Sequence, residues 1–234
     1  MKRIRLWSVL SIILLTGCFP ESEYPTVFTY TFDFSVNAEG WSGDFSDYPE
    51  GDSIAYELDY SYGPLPDNVS KTRKGFKLTG NNQSDDLFMF IKRKLTGFPP
   101  NSRFEVLFNV RLASNAPTEA FGIGGAPGES VIVKAGITTI EPLKELVDGY
   151  YQMNIDKGNQ AESGEDMMAI GNVGVSPTTT QYTEIYRGNS SSNPFILTTN
   201  NLGEAWIIIG TDSGYEGTTT LYYTSLDLVF NQVY

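Results

Sequence analysis

Apolar and polar side chains alternate along much of this chain with a period of two, the spacing of a strand with one face buried. In TVFTYTFDF, Phe28, Tyr30, Phe32 and Phe34 fall on one side and Thr29, Thr31 and Asp33 on the other. RFEVLFNVRLA is the clearest case: Phe104, Val106, Phe108, Val110 and Leu112 oppose Arg103, Glu105, Leu107, Asn109 and Arg111. Further strands are expected over 54–60, 76–79, 87–95, 131–135, 150–155, 182–186, 206–209 and 221–230. Turn-rich stretches separate them, among them PEGD, GNNQSDD, GFPPNS, GIGGAPGE, KGNQAESGED and GTDSGYEGTT. Only Glu141 to Val147 reads as a short helix.

Many short strands without amphipathic helices between them call for two packed antiparallel sheets, because a sheet with one apolar face buries it against another. The expected fold is therefore all-β, an antiparallel β-sandwich of the jelly-roll or galactose-binding-like kind. With no repeat and no low-complexity linker, residues 26–234 are expected to form one domain. The first and last strands are both strong and are expected to lie side by side. Trp206, embedded in AWIII, is expected in the core.

The N-terminus follows a different pattern. Lys2, Arg3 and Arg5 precede an apolar run from Leu6 to Leu15, a charged n-region and a short h-region. About ten residues cover only half of a hydrocarbon core, which needs about 20, so a cleaved signal over 1–17 is the expectation. The run ends Leu15-Thr16-Gly17-Cys18, which resembles the lipobox of bacterial lipoproteins. That resemblance implies cleavage before Cys18, acylation of its thiol and, because Phe19 is not an aspartate, residence at the outer membrane of a Gram-negative cell. Residues 18–25 then form a lipidated tether, whose FPESEYP segment reaches about 25 Å at full extension.

Composition narrows the chemistry. Cys18 is the only cysteine and there is no histidine, which removes disulfides, thiolate catalysis, Ser-His-Asp machinery and histidine-bound zinc or copper. The formal net charge is −12, and cleavage after Gly17 would remove three cations and no acid. Such a surface repels nucleic acid. The Gly122–Gly128 stretch places Pro127 where a dinucleotide fingerprint needs its third glycine, and it reads as a loop.

Carboxylates are the remaining candidates for acid–base work: Asp44, Asp47, Asp85, Asp86, Asp156, Glu162, Asp166, Asp212 and Glu216. A structural calcium ion suits this oxygen-rich chain better than zinc, with Asp156 and Asp166 in DKGNQAESGED as the expected ligands. For a glycan, Trp41, Tyr48, Tyr60, Tyr62 and Tyr215 in or beside turns offer stacking faces, and Arg103, Asn109 and Arg111 offer hydrogen bonds from a sheet.

The segment GWSGDFSDYPEGD, following FTYTFDF, resembles the opening of jelly-roll carbohydrate-binding modules. The resemblance implies glycan binding on a sheet face or in end loops, often with a structural calcium ion. GDFSDYP, SDDLFMFIK, LASNAP, GGAPGESVIVKAG and GTDSGYEGTT together look like a family of uncharacterised bacterial secreted proteins and lipoproteins, which implies no activity. The expectation is a membrane-anchored, non-enzymatic module for a glycan or envelope component. The alternatives are a structural lipoprotein that binds an envelope protein and a carboxylate-dependent polysaccharide lyase or glycosidase.

Overall fold

The computed structural model describes residues 26–38, 40–84 and 86–233; the signal, Cys18 and its tether lie outside them. Fifteen strands follow in order: β1 (Val27–Asp33), β2 (Ser42–Ser46), β3 (Tyr48–Pro49), β4 (Asp59–Pro64), β5 (Lys74–Asn82), β6 (Leu87–Thr96), β7 (Arg103–Ser114), β8 (Val131–Thr138), β9 (Lys144–Val147), β10 (Tyr150–Met153), β11 (Met167–Asn172), β12 (Thr183–Gly188), β13 (Phe195–Thr198), β14 (Glu204–Ser213) and β15 (Gly217–Val233). The fold is an antiparallel β-sandwich.

The larger sheet, A, has the long strands β7 and β15 at its centre. β15 pairs with β7 along one edge, and its other edge is shared by β5 (Gly217 to Tyr223) and β1 (Ser225 to Asn231). β12 and β13 likewise share the far edge of β7. The first and last strands are thus neighbours, as the sequence suggests. Sheet B runs β11-β8-β14-β6-β2, and a small third sheet runs β3-β10-β9.

The alternating positions of β7 form the core side of sheet A: Phe104, Val106, Phe108, Val110 and Leu112 are all buried. In β15 the buried positions are odd up to Tyr223 and even from Leu226 to Phe230. The phase changes because a bulge inserts Thr224 between Tyr223 and Ser225. Sheet B answers with Leu87, Met89, Ile91, Val131, Val133, Ala135, Ile207 and Ile209. Phe98 ties one end of this seam, its ring centroid 4.9 to 5.5 Å from those of Phe28, Phe104 and Phe230.

Several expectations change. Residues 144–147 form a strand, not a helix, because Asp148 and Gly149 both take positive φ, 51° and 82°, the two-residue Asp-Gly turn that closes a hairpin onto β10. Residues 50–57 are turns, so the expected strand begins only at Asp59, and Ile54 is exposed. Trp206 lies on the outer face of sheet B, partly exposed, with Lys92 Nζ 5.5 Å from its ring. β2, β11 and β13 carry too little alternation to be read in advance.

Trp41 is 5% exposed and meets Phe32 and Phe34 edge-on at centroid distances of 5.3 and 5.7 Å. It is a core residue, so Trp41→Ala is expected to cost about 3–5 kcal/mol in denaturant unfolding. A loss below about 1 kcal/mol would contradict this packing.

Candidate functional site

The outward positions of sheet A carry polar side chains, and register gathers them. Thr31 faces Asp227, Asp33 faces Ser225, Arg111 lies between Ser225 and Tyr186, and Asn109 faces Asp227. Thr31, Asp33, Arg73, Arg111, Ser225 and Asp227 line a hollow of about 270 Å³. The Arg111 guanidinium sits 4.5 Å from the ring centroid of Tyr186, whose side chain is exposed, and Arg111 Nε makes no hydrogen bond.

Beside this hollow Arg73 and Glu184 form a two-point ion pair, with Arg73 Nη1 and Nη2 donating to the carboxylate at 3.1 and 2.9 Å. The hydroxyl of Thr224 donates to Glu184 at 3.0 Å, so the bulge in β15 also helps fix this pair. The hydrogen bond from Arg73 holds the Glu184 carboxyl below its ordinary value of 4.5 against the opposing effect of burial. The backbone N–H of Ser35 lowers Asp33 in the same way. Beyond the pair, Asn68, Val69, Tyr182, Thr183 and Glu184 line a second hollow of about 270 Å³.

Of the residues expected to bind a ligand, Arg111 lines the first hollow and Asn109 lies on the same face. Arg103 is eight positions along β7 from Arg111, roughly 26 Å at the rise of a strand. Tyr48 is buried, its ring 5.0 Å from Tyr151, and with Trp41 it belongs to the core. Tyr60 and Tyr62 turn inward onto Phe76 at 5.8 and 5.3 Å. Tyr215 packs so closely under Gly122 and Gly217 that a Cβ on either would lie within 2.6 Å of it, which explains glycine at those positions. The sequence reading missed Asp33, Arg73, Glu184, Tyr186 and Asp227. Alternation already places Asp33 on a polar face, but only pairing shows which residues meet it.

A second polar cluster lies on the outer side of sheet B. The chain from Met153 to Met167 crosses that face, and Ile155 and Met167 cover Phe88, Phe90 and Ile208. At the margin of this cover, Asp212 Oδ2 takes the ammonium groups of Lys134 at 3.0 Å and Lys157 at 2.9 Å. Lys157 also approaches Asp47 at 3.0 Å and Asp86 at 3.8 Å. Burial raises the pKa of Asp47, with Asp212 adding to the effect and Lys157 opposing it. Asp47, Asp86, Tyr150, Gln152, Lys157 and Asn159 are among the residues lining a cleft of about 280 Å³ here.

Of the other acids, Asp44 pairs with Lys144 at 2.8 Å, and Asp85 lies outside the described residues. Asp156 and Asp166 brace their own loop. Asp156 Oδ1 and Oδ2 accept from the backbone N–H of Gly158 and Glu165, and Asp166 Oδ2 accepts from that of Asp156. Among the described residues no group of three acids is placed to hold a metal ion.

The pH dependence of the Arg73–Glu184 pair follows in sign. A carboxyl lowered in the folded state contributes stability above its ordinary 4.5 and loses it as pH falls through the folded value. The stability gap between the native protein and Glu184→Gln should therefore narrow below pH 4.5. A gap unchanged into strong acid, measured by denaturant unfolding, would contradict the pairing.

No protein-family model matches the chain, and no curated protein does, so the resemblance to a family of uncharacterised lipoproteins gains no support. Solved structures with similar folds include a putative sugar binding protein from Bacteroides thetaiotaomicron (10% identity, TM-score 0.41, covering 82% of this chain and 88% of that one). Another is the CBM22-1 xylan-binding domain of Paenibacillus barcinonensis Xyn10C (8% identity, TM-score 0.38, 88% and 95%). The enzymatically active domain of bacteriophage CBA120 tailspike protein 4 also aligns at 9% identity and a TM-score of 0.36, over 84% of this chain, which spans only 20% of its length. At such low similarity, function has to be argued from this chain's own side chains.

Proposed function

We propose that this chain is a lipid-anchored, non-enzymatic module that binds a neutral glycan of the cell envelope across the outer face of sheet A. The observation that carries the reading is the make-up of the hollow around Arg111. It combines two guanidiniums, Arg73 held by Glu184 and Arg111 with an Nε that makes no hydrogen bond, two carboxylates, Asp33 and Asp227, and the hydroxyls of Thr31 and Ser225. A sugar hydroxyl both donates and accepts, so a surface that mixes donors and acceptors at close spacing suits it. The exposed ring of Tyr186 beside the hollow adds an apolar face of the kind sugars stack on. Acylation of Cys18 would hold this face near a membrane, with a tether of only a few residues.

One observation favours a second reading. Asp47 and Asp86 both approach Lys157 in the cleft on sheet B, and burial raises Asp47 while Lys157 opposes it, the direction in which the carboxyl of a general acid is tuned. This would make the chain a carboxylate-dependent enzyme on polysaccharide. Incubation with a panel of polysaccharides should release reducing ends or unsaturated products, abolished in Asp47→Asn; silence across the panel dismisses it.

For the binding reading, a glycan array should find a neutral ligand. Arg111→Ala and Tyr186→Ala should each weaken it at least tenfold, about 1.4 kcal/mol, while Arg103→Ala leaves it unchanged. An array without any bound glycan, or unaltered affinity in both variants, would overturn the assignment.

A further inference from the structure

The loop expected to hold calcium is organised around a cation that belongs to the chain. Lys134, on the outer face of β8, is fully buried. Its ammonium has three protons to give and three oxygens to take them. It donates to the backbone carbonyls of Lys157 at 2.8 Å and Glu162 at 2.9 Å, and lies 3.0 Å from Asp212 Oδ2. The first two oxygens belong to the loop and the third to β14, so one positive charge joins the loop to the sheet. Asp212 adds a bond from the loop's Gln160 N–H at 3.0 Å.

The surroundings are shaped for this contact. Gly210 lies opposite Lys134 across β14. At Gly136, two residues along β8, a Cβ would stand 2.0 Å from the carbonyl oxygen of Asp166, so the backbone of the loop rests directly on the sheet. Lys157, Asp47 and Asp86 continue the network outward. With Lys134 gone, Lys157 alone would face three carboxylates, an excess of negative charge around a hole lined by oxygen.

We infer that the Lys134 ammonium is the resident cation of an oxygen cage formed by Lys157, Glu162 and Asp212, and that truncating this side chain leaves a binding site for a free primary alkylammonium ion. The cage does for residues 156–166 what a metal ion does in other loops, with the cation supplied covalently by a neighbouring strand. The inference is independent of glycan binding.

The test uses two variants of the full chain. In Lys134→Ala, thermal unfolding should fall by about 10 °C, the scale expected for breaking a buried ion pair in a chain of this size. Propylammonium chloride, the fragment cut away, should restore several degrees of it, whereas tetramethylammonium chloride at equal ionic strength should not. Lys134→Met fills the space without the charge. It should show no such recovery, with amide exchange at residues 157–164 accelerated at least tenfold while the core of β7 stays protected. Equal effects of the two salts on Lys134→Ala would overturn the inference. So would native exchange at 157–164 in Lys134→Met, which remains readable if the alanine variant does not fold.

Discussion

Burial of the inward faces of β5, β7 and β15 against those of β6, β8 and β14 is the constraint on which the molecule depends. The chain has one cysteine, so the described residues hold together through apolar contact and strand pairing without a disulfide. The pairing of β1 with β15 closes sheet A with the two ends of the described chain side by side. The Thr224 bulge keeps the long last strand facing the core on both sides of the irregularity while sending one hydroxyl out to Glu184.

The outward faces of the two sheets have different fates. Sheet A leaves its outer face open, and the residues there pair in ways that fix their position without filling the surface: Arg73 with Glu184, Arg111 over Tyr186. The outer face of sheet B is largely covered. A loop lies on Phe88, Phe90 and Ile208 and is joined to the sheet by Lys134 and Asp212. Burying lysines and aspartates costs desolvation that the pairing only partly returns, so this arrangement fixes where the loop sits more than it adds stability. The open face carries the polar hollow around Arg111, and the covered face presents a charged cleft of about 280 Å³.

Particular residues show what could be read in advance. The alternation in RFEVLFNVRLA identifies its core face residue by residue, because a half-buried strand writes its burial directly into the sequence. LFMFI is apolar at every position, and the reason emerges only when both faces of β6 prove to be covered. VDGY carries the Asp-Gly hairpin signal that would have corrected the helix expected over 141–147. Trp41 and Tyr48 sit among turn residues and looked available to a ligand, yet the turns fold them inward onto Phe32 and Tyr151. Neighbours in sequence say little about which way a lone aromatic in a turn will point.

By itself, the sequence determined the all-β class, the pairing of two strong end strands, the absence of histidine and thiolate chemistry in the folded part, and the polar face bearing Arg111. Tertiary structure alone decided that Asp33, Arg111, Tyr186 and Asp227 share one face and that Lys134 enters the loop bracketed by Asp156 and Asp166. The division has a physical cause. Alternation and turn chemistry act within a few residues, whereas cross-strand register joins β1 to β15 and β7 to β12 across long separations that a local pattern does not encode.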